Sequence, residues 1–281
     1  MKKIILPTDF SENAYNAIQY AVQLFKDVKT TFYLLHTYTP PVFQVEYLLQ
    51  SPGQIGLGDS YKMKAMNQLE ALKERLQEEF NNTNHTFVTR ADFNTLTDDI
   101  LILTKNEKAD LVIMGTQGAT GAKEILFGTN TTRVIRNTIC PLIVVPSGFQ
   151  YQAPKTIGFP TDYEIDYDKK QLKQLLELSK NNKANIGVIH VASKDGLTKE
   201  QSKNRNKLDE LLAETSHTFN DLPEQEFIEA INTFQKVNPM NLLVMIRNKT
   251  TFFERLFVEP MVKKIGLQMN VPFMVIPHEN K

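Results

Sequence analysis

The chain has no net charge, because its 32 Lys and Arg are matched by 32 Asp and Glu. That balance removes any global pull toward nucleic acid or an anionic membrane. Cysteine is nearly absent. Cys140 stands alone, so no disulfide can form within the chain, which suits a reducing compartment. Its apolar setting before Pro141 reads as a small core residue rather than a reactive thiol. Long hydrophobic runs are missing too. Ile4-Ile5-Leu6 stops at Pro7, too short for a signal peptide, and no segment approaches the roughly 20 apolar residues of a membrane span. The expectation is a cytoplasmic protein with no nucleic-acid partner and no membrane partner. Metal-ligand spacing is also lacking: His85, His217 and His278 form no pattern with His36 or His190. No Ser-His-Asp order or paired carboxylates stand out. No metal site and no catalytic residue are expected.

What is present is a repeat. Lys3 to Asp9 (KIILPTD) matches Lys155 to Asp162 (KTIGFPTD), and Phe32 to His36 (FYLLH) matches Ile186 to His190 (IGVIH). Further along, Leu111 to Gly115 (LVIMG) matches Leu243 to Arg247 (LVMIR), and Cys140 to Pro146 (CPLIVVP) matches Val271 to Pro277 (VPFMVIP). Four matches in one order mark a duplication. The 281 residues suit two domains, and 41% hydrophobic residues can bury a core in each. The stretch SGFQYQAP (147–154) reads as the linker, dividing the chain into domains 1–148 and 154–281.

Within the first copy, 3–7, 31–37, 85–90, 111–114 and 142–145 read as strands. Helical spacing predicts helices over 12–25, with Asp9 or Ser11 as cap, and over 61–80, 96–107 and 125–137. Residues 40–60, rich in Pro, Gly and Ser, read as a long loop and a lid over the expected site. Five strands alternating with helices predict an α/β fold: two tandem, doubly wound, mostly parallel five-stranded sheets of Rossmann-like type.

The strand LVIM is followed by Gly115-x2-Gly118-x9-Gly128-Thr129. Glycines let backbone approach a ligand closely, and the next helix start presents N–H groups to an anion. Thr129, Asn130, Thr131 and Thr132 add donors there, though the same residues suit simple capping. The pattern is neither a Walker loop, lacking Gly-Lys-Ser/Thr, nor the dinucleotide G-x-G-x-x-G. Pro7-Thr8-Asp9 ends another strand at the same sheet edge, where open α/β sheets bind ligands. Asp9 can accept hydrogen bonds from a ribose or adenine, or help to cap the helix that follows. Arg133 and Arg136, just beyond the loop, can screen phosphate charge or lie as exposed helix residues.

These residues resemble the universal stress protein family in its tandem form. The likeness rests on IILPTDFSENA, LLH, MGTQGATGAKEILFGTNTTRVI and CPLIVVP, and it extends over nearly all of both copies. The resemblance implies an adenine nucleotide alpha hydrolase-like fold and ATP as ligand, with or without magnesium. It implies that Asp9 contacts the nucleoside and that Pro7, Thr8, Thr37 and Met114 line the adenine pocket. Gly115, Gly118, Gly128, Thr129, Asn130 and Thr131 would hold phosphates. It further implies pairing of the last strands, Leu142–Val145 with Phe273–Ile276, within one chain or in a homodimer.

The second copy departs from the motif. Arg247 replaces the first glycine, the loop is shorter, and Val258 or Glu259 stands in place of Gly128. This copy is expected not to bind ATP. Arg247, Lys249 and Arg255 can bind another anion or be solvated. The leading reading is a stress-response binding module with an unnamed protein partner. A slow ATPase or autophosphorylating enzyme and a ligand-free scaffold are the alternatives.

Overall fold

The computed structural model describes residues 1–38, 57–116, 128–248 and 271–278, in two compact α/β units. The first contains β1 (Lys2–Pro7), α1 (Glu12–Leu24), β2 (Thr30–Thr37), α2 (Leu57–Phe80), β3 (His85–Asp92), α3 (Leu96–Glu107), β4 (Leu111–Gly115) and α4 (Thr129–Asn137). Its strands run in the order β3-β2-β1-β4, all parallel. The central strands β1 and β4 bury Ile4, Ile5, Leu6, Leu111, Val112 and Ile113 completely, as a sheet covered on both faces demands. β3 lies at an edge, and its burial is correspondingly broken.

The second unit contains β5 (Leu142–Val145), β6 (Thr156–Pro160), α5 (Lys169–Asn182), β7 (Asn185–Val191), α6 (Lys199–Leu212), β8 (His217–Leu222), α7 (Phe227–Val237), β9 (Leu242–Arg247) and β10 (Phe273–Pro277). Its order is β5-β10-β9-β6-β7-β8. The pairs of β6, β7, β8, β9 and β10 are parallel, while β5 joins β10 antiparallel, with Met274 opposite Ile143. β5 closes the first repeat in sequence, yet it packs in the second unit.

Local chemistry explains most element ends. Ser11 Oγ accepts the Ala14 N–H and caps α1, whose buried face carries Ala14, Ala17, Ile18, Ala21 and Val22. Thr95 caps α3 in the same way. One expectation needs correction: residues 57–60 belong to the first turn of α2, not to the loop. Helical hydrogen bonding extends a turn ahead of the first periodic apolar residue, where composition carries no signal. Residues 40–56 of the expected loop and lid, and residues 125–127 of the expected helix, lie outside the described residues. Cys140 is buried, and burial pushes its thiol pKa up. No described helix is long and apolar enough to cross a membrane.

Candidate functional site

The carboxyl ends of β1, β2 and β4 and the start of α4 surround a cavity of about 360 Å³ in the first unit. β1 and the turn after it contribute Pro7, Thr8 and Asp9. Thr37 comes from β2, Met114 and Gly115 from β4, and Gly128, Thr129, Asn130 and Thr131 from the head of α4. Gly118 lies outside the described residues. Three lining residues were not assigned to the site from sequence: Ala14 on α1, Leu96 on α3 and His36 on β2. The first two carry only core-type patterns. His36 had usable signals: its match to His190 in the repeat and its place directly before Thr37.

The turn after β1 is built by its own side chains. Phe10 adopts a left-handed backbone, φ 63°, which costs a residue with a Cβ about 1 kcal/mol. Thr8 Oγ1 accepts the Phe10 N–H at 3.0 Å. Asp9 Oδ1 accepts the Ser11 N–H at 3.1 Å and the Ser11 hydroxyl at 2.6 Å. Ser11 is therefore the cap of α1, and Asp9 orients that cap while its exposed side chain borders the cavity.

Two contacts anchor the head of α4 to β4. The Gly128 N–H donates to Thr116 O at 2.7 Å, and the Thr131 hydroxyl donates to Gly115 O at 3.1 Å. Thr131 is buried, so its side chain is a tether rather than a donor to solvent. Gly115 has no room for a side chain. A Cβ there would lie 2.5 Å from Asn13 Nδ2 and 3.1 Å from the Asn13 carbonyl oxygen of α1.

The α4 terminus differs from its peers. Ser11, Thr95, Asp168, Thr198 and Glu226 each cap a helix by accepting a backbone N–H through the side chain. The α4 cap is Gly128, with no side-chain hydrogen bond and no acid in the first turn. The first-turn N–H groups and the positive end of the helix dipole thus border the cavity with no side chain of the cap residue to occupy them. Arg133 and Arg136 are exposed.

The second repeat builds the same turn and then sets an aromatic side chain against it. Tyr163 takes the place of Phe10, with φ 58°, and its N–H donates to Thr161 Oγ1 at 3.0 Å. Asp162 Oδ1 accepts the Glu164 N–H at 3.1 Å. Helix α5 starts later, however, capped by Asp168. The extra chain buries every second residue, Tyr163, Ile165 and Tyr167, and exposes those between. The Tyr167 hydroxyl hydrogen-bonds Thr161, the partner of cavity-lining Thr8, and the ring packs edge-on to Phe159. Asp162 is half-buried, and burial pushes its carboxyl pKa up. Arg247 ends β9 where Gly115 ends β4. Lys249, Arg255, Val258 and Glu259 lie outside the described residues. Among the described residues, no group of three or more His, Cys, Asp or Glu is placed to hold a metal ion.

The sequence model of the Universal stress protein family matches residues 1–146. A universal stress protein of Methanocaldococcus jannaschii is 30% identical over 152 residues, covering 51% of this chain and 81% of that protein. A second from the same organism is 32% identical over 157 residues, covering 51% and 94%. Among solved structures, a universal stress protein from Archaeoglobus fulgidus aligns with a TM-score of 0.66 at 14% identity. That alignment covers 99% of this chain and 97% of that one, a likeness of fold.

Proposed function

The chain belongs to the universal stress protein family, and from that premise we propose that its first repeat binds ATP or a related adenine nucleotide. The protein then acts as a regulatory binding module in a stress response. One observation carries the reading: the cavity faces a helix start whose cap residue, Gly128, has no side chain to occupy its N–H groups. A phosphate chain supplies the missing anion. Asp9 faces the nucleoside, Pro7, Thr8, Thr37 and Met114 flank the base, and Gly118 lies in the loop over the phosphates. Thr129 and Asn130 offer side-chain and backbone donors. Thr131 contributes its N–H, because its hydroxyl already holds Gly115. The second repeat, from 154 onward, serves as a structural mate to the nucleotide domain 1–148. Two features support that role: Tyr167 hydrogen-bonds Thr161, the counterpart of cavity-lining Thr8, and Arg247 stands in place of the first glycine.

Calorimetric titration with ATP and magnesium tests the proposal. One site per chain, lost in Gly128→Arg, is the expected result. Absence of heat and of thermal shift at millimolar nucleotide would defeat it, and two sites per chain would refute the role given to the second repeat.

A further inference from the structure

We infer that His36 is a positioning residue of the nucleotide site, acting through the Thr8 carbonyl rather than by touching the ligand. The inference rests on the proposed nucleotide reading. His36 Nδ1 lies 2.8 Å from Thr8 O. A carbonyl oxygen only accepts, so Nδ1 carries the proton and the ring is held in one orientation. The same ring packs on Phe10, with centroids 4.6 Å apart. Phe10 is the left-handed residue of the turn, and Asp9 stands between it and Thr8. The histidine therefore clamps both flanks of Asp9, on Thr8 by hydrogen bond and on Phe10 by ring contact. A turn that stores backbone strain needs such restraint to hold one geometry.

The second repeat separates the clamp from ligand contact. His190 Nδ1 lies 3.0 Å from Thr161 O, and its ring packs on Tyr163 with centroids 4.7 Å apart. The clamp is thus complete where Tyr167 covers Thr161. A group that served only to touch nucleotide would have no use there. The conserved element of geometry is the hold on the turn, and in the first repeat that turn presents Asp9 to the cavity.

Asparagine and glutamine variants decide between clamp and contact. The amide nitrogen of Asn superimposes on Nδ1 and that of Gln on Nε2. Affinity for magnesium-ATP is measured by calorimetry on the full chain. His36→Leu should weaken binding about fivefold, His36→Asn should stay within about twofold of the parent, and His36→Gln should behave like the leucine variant. His190→Leu, which breaks the same clamp in the second repeat, should leave affinity unchanged. A long-range proton–nitrogen spectrum should show His36 as the Nδ1–H tautomer with and without nucleotide. Rescue by Gln but not Asn would overturn the inference in favour of ligand contact through Nε2. Parent-like affinity in His36→Leu would overturn it as well. If His36→Leu fails to fold, the Asn and Gln variants still give opposite answers. A parent protein that takes up no ATP strikes at the functional reading itself, whereas these variant outcomes strike at the clamp alone.

Discussion

Two turns in this chain are built alike and lead to opposite ends. Pro7-Thr8-Asp9-Phe10 and Pro160-Thr161-Asp162-Tyr163 share a left-handed fourth residue, a Thr hydroxyl accepting its N–H, and a histidine on the Thr carbonyl. The first opens on a cavity and the second is covered by Tyr167. The difference begins just after the motif. Ser11 caps α1 two residues past Asp9, whereas Asp168 caps α5 six residues past Asp162. The longer connection has alternating apolar residues and packs its own aromatic ring against the turn. A shared local motif therefore specifies a turn, and the chain that follows decides whether the turn serves a site.

The largest test of this contrast removes the filling. Tyr167→Ala should destabilise the second unit by about 4 kcal/mol, because a fully buried aromatic leaves a cavity. Chemical denaturation measures it, and a loss below about 1 kcal/mol would mean that Tyr167 is not a packed element. Next is Gly115→Val. The new side chain must displace Asn13, at a cost of about 3 kcal/mol, and the corresponding Arg247→Val, at a position that already holds a side chain, should cost clearly less. Equal thermal shifts in the two variants would erase the distinction between these strand ends.

The two aspartates sharpen the comparison further. Asp9→Ala should weaken nucleotide binding about thirtyfold, by loss of a charged hydrogen-bonding group, whereas Asp162→Asn should not alter it. Instead, Asp162→Asn should raise stability at neutral pH. Folding raises the Asp162 pKa, so the folded state holds the proton more tightly and loses stability as pH rises through that range. The gain from Asn should fade in acid, and a gain that persists at low pH would contradict a titrating cause.

The smallest effect belongs to His217 at the outer edge of the second unit. Burial alone would lower its pKa. The Asp209 carboxylate at 2.8 Å, with the Thr215 carbonyl, outweighs that and raises it above 6.5. The sign is opposite to that of a carboxylate held in its charged form. The contribution is complete below pH 6.5 and vanishes as pH climbs through the folded value. His217→Gln should cost about 0.5 kcal/mol in acid and nothing at alkaline pH, read by thermal melts across pH.

Much of this was legible in the amino acids. Helix α3 runs over the periodic segment 96–107, and β5 over the apolar run 142–145, because each is bounded by its own caps, turns or prolines. The glycine spacing pointed to the cavity edge at Gly115 and Gly128, and at Gly115 there is no room for a Cβ. The first turn of α2 was not legible, because helical hydrogen bonds can form over residues with no apolar period. Leu96 and Ala14 were equally silent, since each sits in an ordinary amphipathic helix and faces the cavity only through packing. Tyr167 did leave a signal, the alternation in DYEIDYD, whose meaning depends on what it packs against.

By itself the sequence determined the duplication, the strand–helix alternation and the chemistry of each turn and cap. These depend on neighbours a few residues apart, through side-chain period and backbone preference. Tertiary structure alone decided that the ends of β1, β2 and β4 meet the head of α4 around one cavity. It also decided that Tyr167 covers Thr161 and that β5 joins the second unit. Those outcomes depend on which distant side chains compete for the same volume, and close packing settles that only when the whole chain is folded.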